Sequence, residues 1–569
     1  MSRSQPELNP WTQRPPYRVP RHPAVTDLQL GGNEGAPPPQ ALAARMGAMA
    51  PEQLSQYPDP SALERRLAAR HGLHDDQVLI TAGGDEGLQR LCRAALAPGK
   101  RLVLPEPTFE MIRRFAESTG AEVIAVPFQG GGYPTERVIE ACDDSTALIA
   151  VVTPNNPTGD VISADDLRRV AEAAPQALVM VDLAYTEFAD EDLTQVALSL
   201  PNAIIFRTFS KARGLAGLRL GYALGAARWI RALRTAGLPY PASAPALALA
   251  LASLEEGADE PDVSVQVWAR QQLESTLRSQ RVSVNPSQGN FVFARGLDGA
   301  WWRDAMAGLG VQIRTWPDAL DLADAVRISC PLSVSATERV SEAIRIIRSP
   351  EAVIFDLDGV LADVSASYRR AIGLTCLRFG VRVTAADIEA VKAQGDANND
   401  WVVTWRLIRQ AGGSAELDAV TAAFESLYQG VESGSPLWRS ETLVGRCETL
   451  RALAARFKLA VVTGRPRRDA IRFLRTHQLE EVFAALVCME DAPPKPSPEP
   501  VRMALNALGV RRAWMVGDTP DDVLAARAAG VLPLGVRAAG IPSSRSLPLL
   551  KAGAARVLDR WDELLEVLP

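Results

Sequence analysis

The stretch FRTFSKARGLAGLRLGY at residues 206–222 sets one lysine, Lys211, between a serine and a run of glycines, with Arg219 eight positions on. A lysine on an ordinary solvated helix face needs no such surroundings. The apolar run AIIFRTFS leading into it reads as a buried strand. The lysine therefore follows the carboxyl end of a strand, where open α/β sheets place their ligands. Three other stretches fall at corresponding places: TPNNPTG at 153–159, VDLAYTEF at 181–188 with Asp182 and Tyr185, and AGGDEG at 82–87 ahead of a helical pattern.

Outward from this centre, RLVLPEP, EVIAVPF, ALIAVVTP and ALVMVDLAY are short apolar runs bounded by turn signals. They suit buried strands of a largely parallel sheet, with helices such as FEMIRRFAESTG between them. A smaller α/β unit follows at about 275–348, with strands near NFVFAR, VQIRTW and AVRISC. After Pro350 the pattern restarts with a fresh buried strand over 352–356, inside the second distinctive stretch, VIFDLDGVLAD at 353–363. A domain boundary near 349, with a short linker, is the expectation. Residues from about 365 to 445 read as mainly helical, and strand–helix alternation returns with KLAVVTGRP, ALVCMED, AWMVGDTP and LPLGV. The fold class is α/β throughout.

Composition narrows the field. With 569 residues the chain is too long for one core. Net charge of −6 argues against a nucleic-acid footprint. No apolar run approaches the roughly 20 residues of a membrane span, and the Pro-rich opening lacks the apolar core of a secretory signal. Six scattered cysteines and four histidines fit neither a disulfide framework nor a zinc site; they fit a reducing cytosol, so a cytoplasmic enzyme is expected.

The ordered set NEG at 33–35, YPDP at 57–60, PEPTFEM at 105–111, NNPTG, VDLAY, TFSKARGLAGLRLGY and VRIS at 326–329 resembles the fold-type-I pyridoxal-phosphate enzymes, and within them the histidinol-phosphate aminotransferase family. The resemblance covers most of residues 15–348. It implies a large domain at about 40–260 and a small domain made of the N-terminal segment plus about 275–348. It implies pyridoxal 5'-phosphate as cofactor, held covalently by Lys211, whose amine also moves the substrate's α-proton. Asp182 would keep the pyridine nitrogen protonated. Tyr185 and Asn156 would bond the ring oxygen, and Phe109 would stack on the ring. Gly83, Gly84, Asp85, Ser210 and Arg219 would receive the cofactor phosphate. Tyr57 would reach the phosphate of a neighbouring subunit, which implies a homodimer. Arg327 matches the arginine for a substrate carboxylate, while Arg314 and Tyr17 match positions that could hold a substrate phosphate. For those last two, a surface ion pair and a packed aromatic remain equal alternatives.

In the later part, VIFDLDG is followed in order by VVTG at 461–464, PPKPSP at 493–498 and MVGDTPDD at 515–522. Together these look like the four motifs of the haloacid-dehalogenase superfamily over about 351–540, within a hydrolase domain at 351–569. The helical block at 365–445 corresponds to that family's cap. The resemblance implies Asp356 as nucleophile and Asp358 as general acid and base. Thr463 would bond a phosphoryl oxygen and Lys495 would offset the crowded negative charge. Mg²⁺ would be held by Asp356, the backbone carbonyl of Asp358, Asp518 and Asp522, with Asp521 as the alternative to Asp522. The second aspartate marks phosphatases, since dehalogenases lack it. Trp401, Trp405 and Arg406 are candidate lid residues, or cap core.

The two resemblances suggest consecutive reactions: glutamate-dependent amination of imidazole acetol phosphate, then removal of phosphate from histidinol phosphate. Three other readings stand beside this one. They are a transaminase–phosphatase pair for another phosphorylated amino acid such as phosphoserine, a tailoring enzyme of secondary metabolism, and a regulator using a pyridoxal-phosphate domain as a sensor.

Overall fold

The computed structural model describes residues 10–128, 131–255, 261–319, 321–392, 399–431, 435–537 and 546–569. Residues 1–9 of the expected Pro-rich opening, and 393–398 and 432–434 of the expected helical block, lie outside the described residues. The chain packs as two compact units. One holds the residues up to Pro20 with Leu30–Leu297 and Arg314–Glu338; the other holds Arg21–Gln29, Asp298–Ile313 and Arg339–Pro569.

In the first unit a seven-stranded sheet is built from β1 Val78–Thr81, β2 Arg101–Glu106, β3 Glu122–Pro127, β4 Thr146–Val152, β5 Leu178–Asp182, β6 Ala203–Thr208 and β7 Gly221–Gly225. Their order is β1-β7-β6-β5-β4-β2-β3. Strands β2 to β6 run parallel, and β7 lies antiparallel to both neighbours. The sequence pattern did not announce β7, because its glycines read as part of the Lys211 loop. Near-continuous apolar runs are explained by burial on both faces. Ile149, Val151, Val179, Val181 and Ile205 enter one core, and Leu148, Ala150, Met180, Ile204 and Phe206 enter the other. Truncating a fully buried residue such as Ile205 to alanine would cost about 2–5 kcal/mol.

Four strands form antiparallel pairs: β8 Ser283–Asn285, β9 Phe291–Arg295, β10 Val311–Thr315 and β11 Val326–Ser329. Strand β9 pairs with β8 and β11, and β11 pairs with β10 so that Arg314 faces Arg327.

The second unit is centred on six parallel strands: β12 Ala352–Phe355, β13 Lys458–Val462, β14 Ala485–Val487, β15 Ala513–Gly517, β16 Leu532–Val536 and β17 Val557–Leu558. Their order is β14-β13-β12-β15-β16-β17. Between β12 and β13 the chain forms helices Tyr368–Arg378, Ala385–Lys392, Asp400–Gln410 and Leu417–Gln429. The chain enters and leaves this helical insertion through a short antiparallel pair, Ala362–Asp363 with Thr442–Leu443.

Sequence reading puts one boundary near 349, whereas packing joins Arg21–Gln29 and Asp298–Ile313 to the later residues as well. One contact within this grouping is aromatic. Trp301 on helix Gly299–Gly308 packs against the fully buried Trp514 at 5.4 Å between centroids, and Trp514 donates from Nε1 to the Ile346 carbonyl at 2.8 Å.

Candidate active sites

In the first unit the parallel strands aim their carboxyl ends at one cavity of about 300 Å³. Register sets Asp182 at the end of β5, between Val152 of β4 and Phe206 of β6, and all three line the cavity. Tyr17, Gly84, Asp85, Phe109, Asn156, Tyr185, Ser210, Lys211, Arg219, Arg314 and Arg327 line it too. These residues come from loops, strands and a helix start far apart in sequence, yet converge on one space.

The electrostatics of the cavity are uneven. Asp182 is buried, and its proton affinity rises to about 7 through that burial. The Ala184 N–H, at 3.1 Å from Oδ1, and the Lys211 charge pull the other way. Lys211 donates from Nζ to the Gly32 carbonyl at 2.9 Å and lies 5.5 Å from the Tyr185 ring centroid. The Tyr185 hydroxyl accepts from Asn33 Nδ2 at 3.1 Å. A carboxylate this deeply buried, with no cation bonded to it among the described residues, is suited to a ligand N⁺–H.

At one end, helix Gly83–Ala95 begins on the cavity wall. Gly83 has φ of +79°, and a Cβ there would stand 2.7 Å from Arg219 Nη2. The absent side chain lets the guanidinium lie against the helix start. Arg219 Nη2 meets Asp85 Oδ2 at 3.4 Å, and the buried Ser210, on the loop after β6, lines the same cavity. A helix N-terminus, an arginine and a serine are the kind of donor set a phosphate takes.

At the other end, Arg314 and Arg327 are both buried. Arg327 donates to the Gly31 carbonyl at 2.6 Å and to Asn156 Oδ1, and burial brings its proton affinity down to about 10. Arg314 has Glu110 at 3.7 Å, and its guanidinium carbon lies 5.5 Å from the Tyr17 and 5.2 Å from the Trp316 ring centroid. Arg314 Nη1 and Arg327 Nε have no hydrogen-bond partner among the described residues. Tyr57 does not join this cavity: it is 81% exposed and stacks on Tyr240 at 4.6 Å. Trp316 and Thr208 line the cavity without having been singled out from sequence; the spacing of apolar residues alone does not separate them from core.

In the second unit three adjacent parallel strands end in register, with Phe355 opposite both Val461 and Val516. Just beyond these ends come Asp356, one residue on, and Thr463 and Asp518, each two residues on. Carboxylate oxygens of Asp356, Asp518 and Asp522 lie within 4.8 Å of one another. Asp522 sits in the first turn of helix Pro520–Ala528, where its Oδ2 accepts from the Thr519 N–H at 3.0 Å and hydroxyl at 2.7 Å. Asp521 is buried nearby but is not part of the cluster. Lys495 donates to Asp356 Oδ1 at 2.6 Å and also meets Asp522.

Burial raises the proton affinity of Asp356; Lys495 lowers it, and Asp522 and Asp358 add to the rise. Burial likewise raises that of Asp518, with Asp522 and Asp356 adding. Crowded buried carboxylates of this kind call for a cation. Gly359, at φ +79°, leaves room for the Asp518 carboxylate where a Cβ would collide. Asp358 faces a small cleft with Tyr368, Trp401 and Arg465. Trp405 instead bonds the Ala415 carbonyl at 2.9 Å within the helical insertion. Arg465, two residues past Thr463, lies just outside the VVTG stretch and was not singled out from sequence; its burial has no sequence signal.

Residues 23–345 match the family model for aminotransferase class I and II, and the chain belongs to that family. Residues 353–536 match the model for haloacid dehalogenase-like hydrolase, so two enzyme families meet in this chain. A histidinol-phosphate aminotransferase from Symbiobacterium thermophilum is 37% identical over 311 residues, covering 53% of this chain and 86% of that protein. An imidazoleglycerol-phosphate dehydratase from Phytophthora nicotianae is 46% identical over 237 residues, 38% of this chain; the chain spans about half, 52%, of that relative's length. Among solved structures, the histidinol-phosphate aminotransferase of Sinorhizobium meliloti, in complex with pyridoxal-5'-phosphate, shares the fold at a TM-score of 0.54. It is 24% identical and covers 61% of this chain and 99% of that one. Among the described residues no helix is long and apolar enough to cross a membrane.

Proposed function

We propose that the chain is a bifunctional enzyme. Its first activity transfers an amino group from glutamate to a phosphorylated ketone, best matched by imidazole acetol phosphate. Its second hydrolyses the phosphate monoester formed, histidinol phosphate, as in histidine biosynthesis. The domain division is 1–348 and 351–569, with the helical insertion as cap and the protein a cytoplasmic homodimer.

The observation that carries the first activity is the meeting of Lys211, Asp182 and the opposed pair Arg314–Arg327 in one cavity. Like charges across an antiparallel pair repel, so two buried arginines there favour an anionic ligand. The cavity also fits pyridoxal 5'-phosphate: Lys211 would hold its aldehyde, Asp182 its ring nitrogen, and the Gly83–Arg219–Ser210 cradle its phosphate. When bound, that cofactor supplies an electron sink for the negative charge left on the substrate carbon. Lys211, once released, takes and returns the proton at that carbon. Asp182 keeps the ring nitrogen protonated, while Arg327 and Arg314 hold the substrate's carboxylate and phosphate. Both curated relatives are named for phosphate esters, one of histidinol and one of imidazoleglycerol.

For the second activity the carrying observation is the carboxylate cluster with Lys495 against the nucleophile. Asp356, Asp518 and Asp522 would hold Mg²⁺, which neutralises charge at the phosphoryl group. Asp356 attacks phosphorus, and Thr463 and Lys495 steady the phosphoryl oxygens. Phosphate release from histidinol phosphate, abolished by Asp356→Asn, tests this half. Release no faster than from generic esters would remove histidinol phosphate as the substrate.

A further inference from the structure

Arg465 follows β13 and is only 1% exposed. A guanidinium so deeply buried needs anionic partners. It has two. Its Nε donates to Asp358 Oδ1 at 2.6 Å, and its Nη1 donates to Glu441 Oε2 at 2.9 Å. Its guanidinium carbon lies 4.7 Å from the Tyr368 ring centroid. Glu441, itself buried, accepts from the Tyr428 hydroxyl at 2.9 Å. Tyr428 belongs to helix Leu417–Gln429, and Glu441 precedes the return strand Thr442–Leu443. A continuous chain of bonds therefore runs from the helical insertion, through its exit linker, to the aspartate two residues beyond Asp356.

Asp358 has two tasks. In the first, an Asp356 oxygen bonds to phosphorus and the ester P–O bond breaks. The electron pair stays on the leaving oxygen, which takes the Asp358 proton. In the second, water gives a proton to the Asp358 carboxylate as its oxygen bonds to phosphorus. The bond from phosphorus to Asp356 then breaks, and its electron pair returns to that carboxylate. Both tasks require one Asp358 oxygen at a fixed place. The arginine contacts both fall on Oδ1, which leaves Oδ2 to exchange the proton.

We propose that Arg465, fixed by Glu441 and Tyr428, is a positioning residue that aims Asp358 for proton transfer to the leaving oxygen and from water. This rests on the phosphatase reading above, and its test separates the two. The full chain with Mg²⁺ is assayed on two probes. Histidinol phosphate has an alkoxide leaving group that needs a proton; p-nitrophenyl phosphate has one that needs little. Arg465→Gln is expected to lower kcat on histidinol phosphate about 100-fold with KM within about threefold. On p-nitrophenyl phosphate it gives a burst of about one nitrophenolate per chain, then slow turnover, because only the water step is impaired. Arg465→Lys restores part of kcat, and Glu441→Gln, which keeps the shape of the site, repeats the pattern more mildly. Equal losses on both esters without a burst, in Arg465→Gln or in Glu441→Gln, or no loss in either, overturn the positioning role. Absence of phosphate release by the unsubstituted protein from both esters overturns the phosphatase reading itself, and this inference with it.

Discussion

Arg314 and Arg327 face each other across an antiparallel strand pair, both buried and both open to the cavity that holds Lys211. Burial lowers the proton affinity of Arg327, and the Arg314 charge lowers it further. Without an anion the two buried charges repel; under the proposed reading a bound anion would turn the pair into a clamp. Arg314→Gln is therefore expected to raise the unfolding midpoint of the substrate-free protein while raising KM for a phosphorylated ketone at least tenfold. Denaturant titration and steady-state kinetics check the two halves, and a lowered midpoint with unchanged KM contradicts the clamp.

Asp182 gives the cofactor-free protein a pH signature. Burial raises its proton affinity in the folded state to about 7, against an ordinary value near 3.8. Between those limits the folded protein binds more protons than the unfolded chain, so stability falls as pH rises from about 4 to 7. The whole window is worth on the order of 4 kcal/mol. Asp182→Asn is expected to flatten that slope in urea titrations of cofactor-free protein at pH 5, 6 and 7. Parallel slopes in the two proteins would count against a buried, uncompensated carboxylate.

Much of this architecture was legible because strands buried on both faces are written as unbroken apolar runs, and because Lys211, Asp182, Asp356 and Asp518 all stand at or just past the ends of such runs. The glycines of β7 hid a strand, since Gly221–Gly225 carries no strong strand propensity and is held by pairing with both neighbours. Arg465 and Glu441 were invisible as a pair: twenty-four positions separate them, and only the path out of the helical insertion brings them to 2.9 Å. The role of Trp301 against Trp514 was likewise hidden, because long-range aromatic contacts leave no local pattern. Tyr57 illustrates a different limit: its motif is readable, but one chain leaves it 81% exposed.

Gly83 should be intolerant of a methyl group. A positive φ and an Arg219 nitrogen 2.7 Å from the Cβ position add strain to displacement of the phosphate donor. Gly83→Ala is expected to weaken cofactor retention about tenfold or more, read as loss of cofactor absorbance on dialysis. Retention equal to the unsubstituted protein would leave the cradle without its proposed ligand.

Removal of divalent cations should act on one activity alone. With chelator, the cluster of Asp356, Asp518 and Asp522 keeps its mutual repulsion, and phosphate release is expected to stop and to return with added Mg²⁺. Amino transfer should be unchanged, since no member of that cluster lines the Lys211 cavity. Lys495→Met is expected to reduce phosphate release at least about 100-fold even with Mg²⁺ present, measured as inorganic phosphate freed from histidinol phosphate.

The most direct measurement supplies the full chain with imidazole acetol phosphate, pyridoxal 5'-phosphate and Mg²⁺, and follows inorganic phosphate with and without glutamate. Release that depends on glutamate, and that Lys211→Ala abolishes while direct hydrolysis of histidinol phosphate persists, is the result predicted. Phosphate appearing at the same rate without glutamate, or from the Lys211→Ala protein supplied only with the ketone, would contradict two consecutive reactions on one chain.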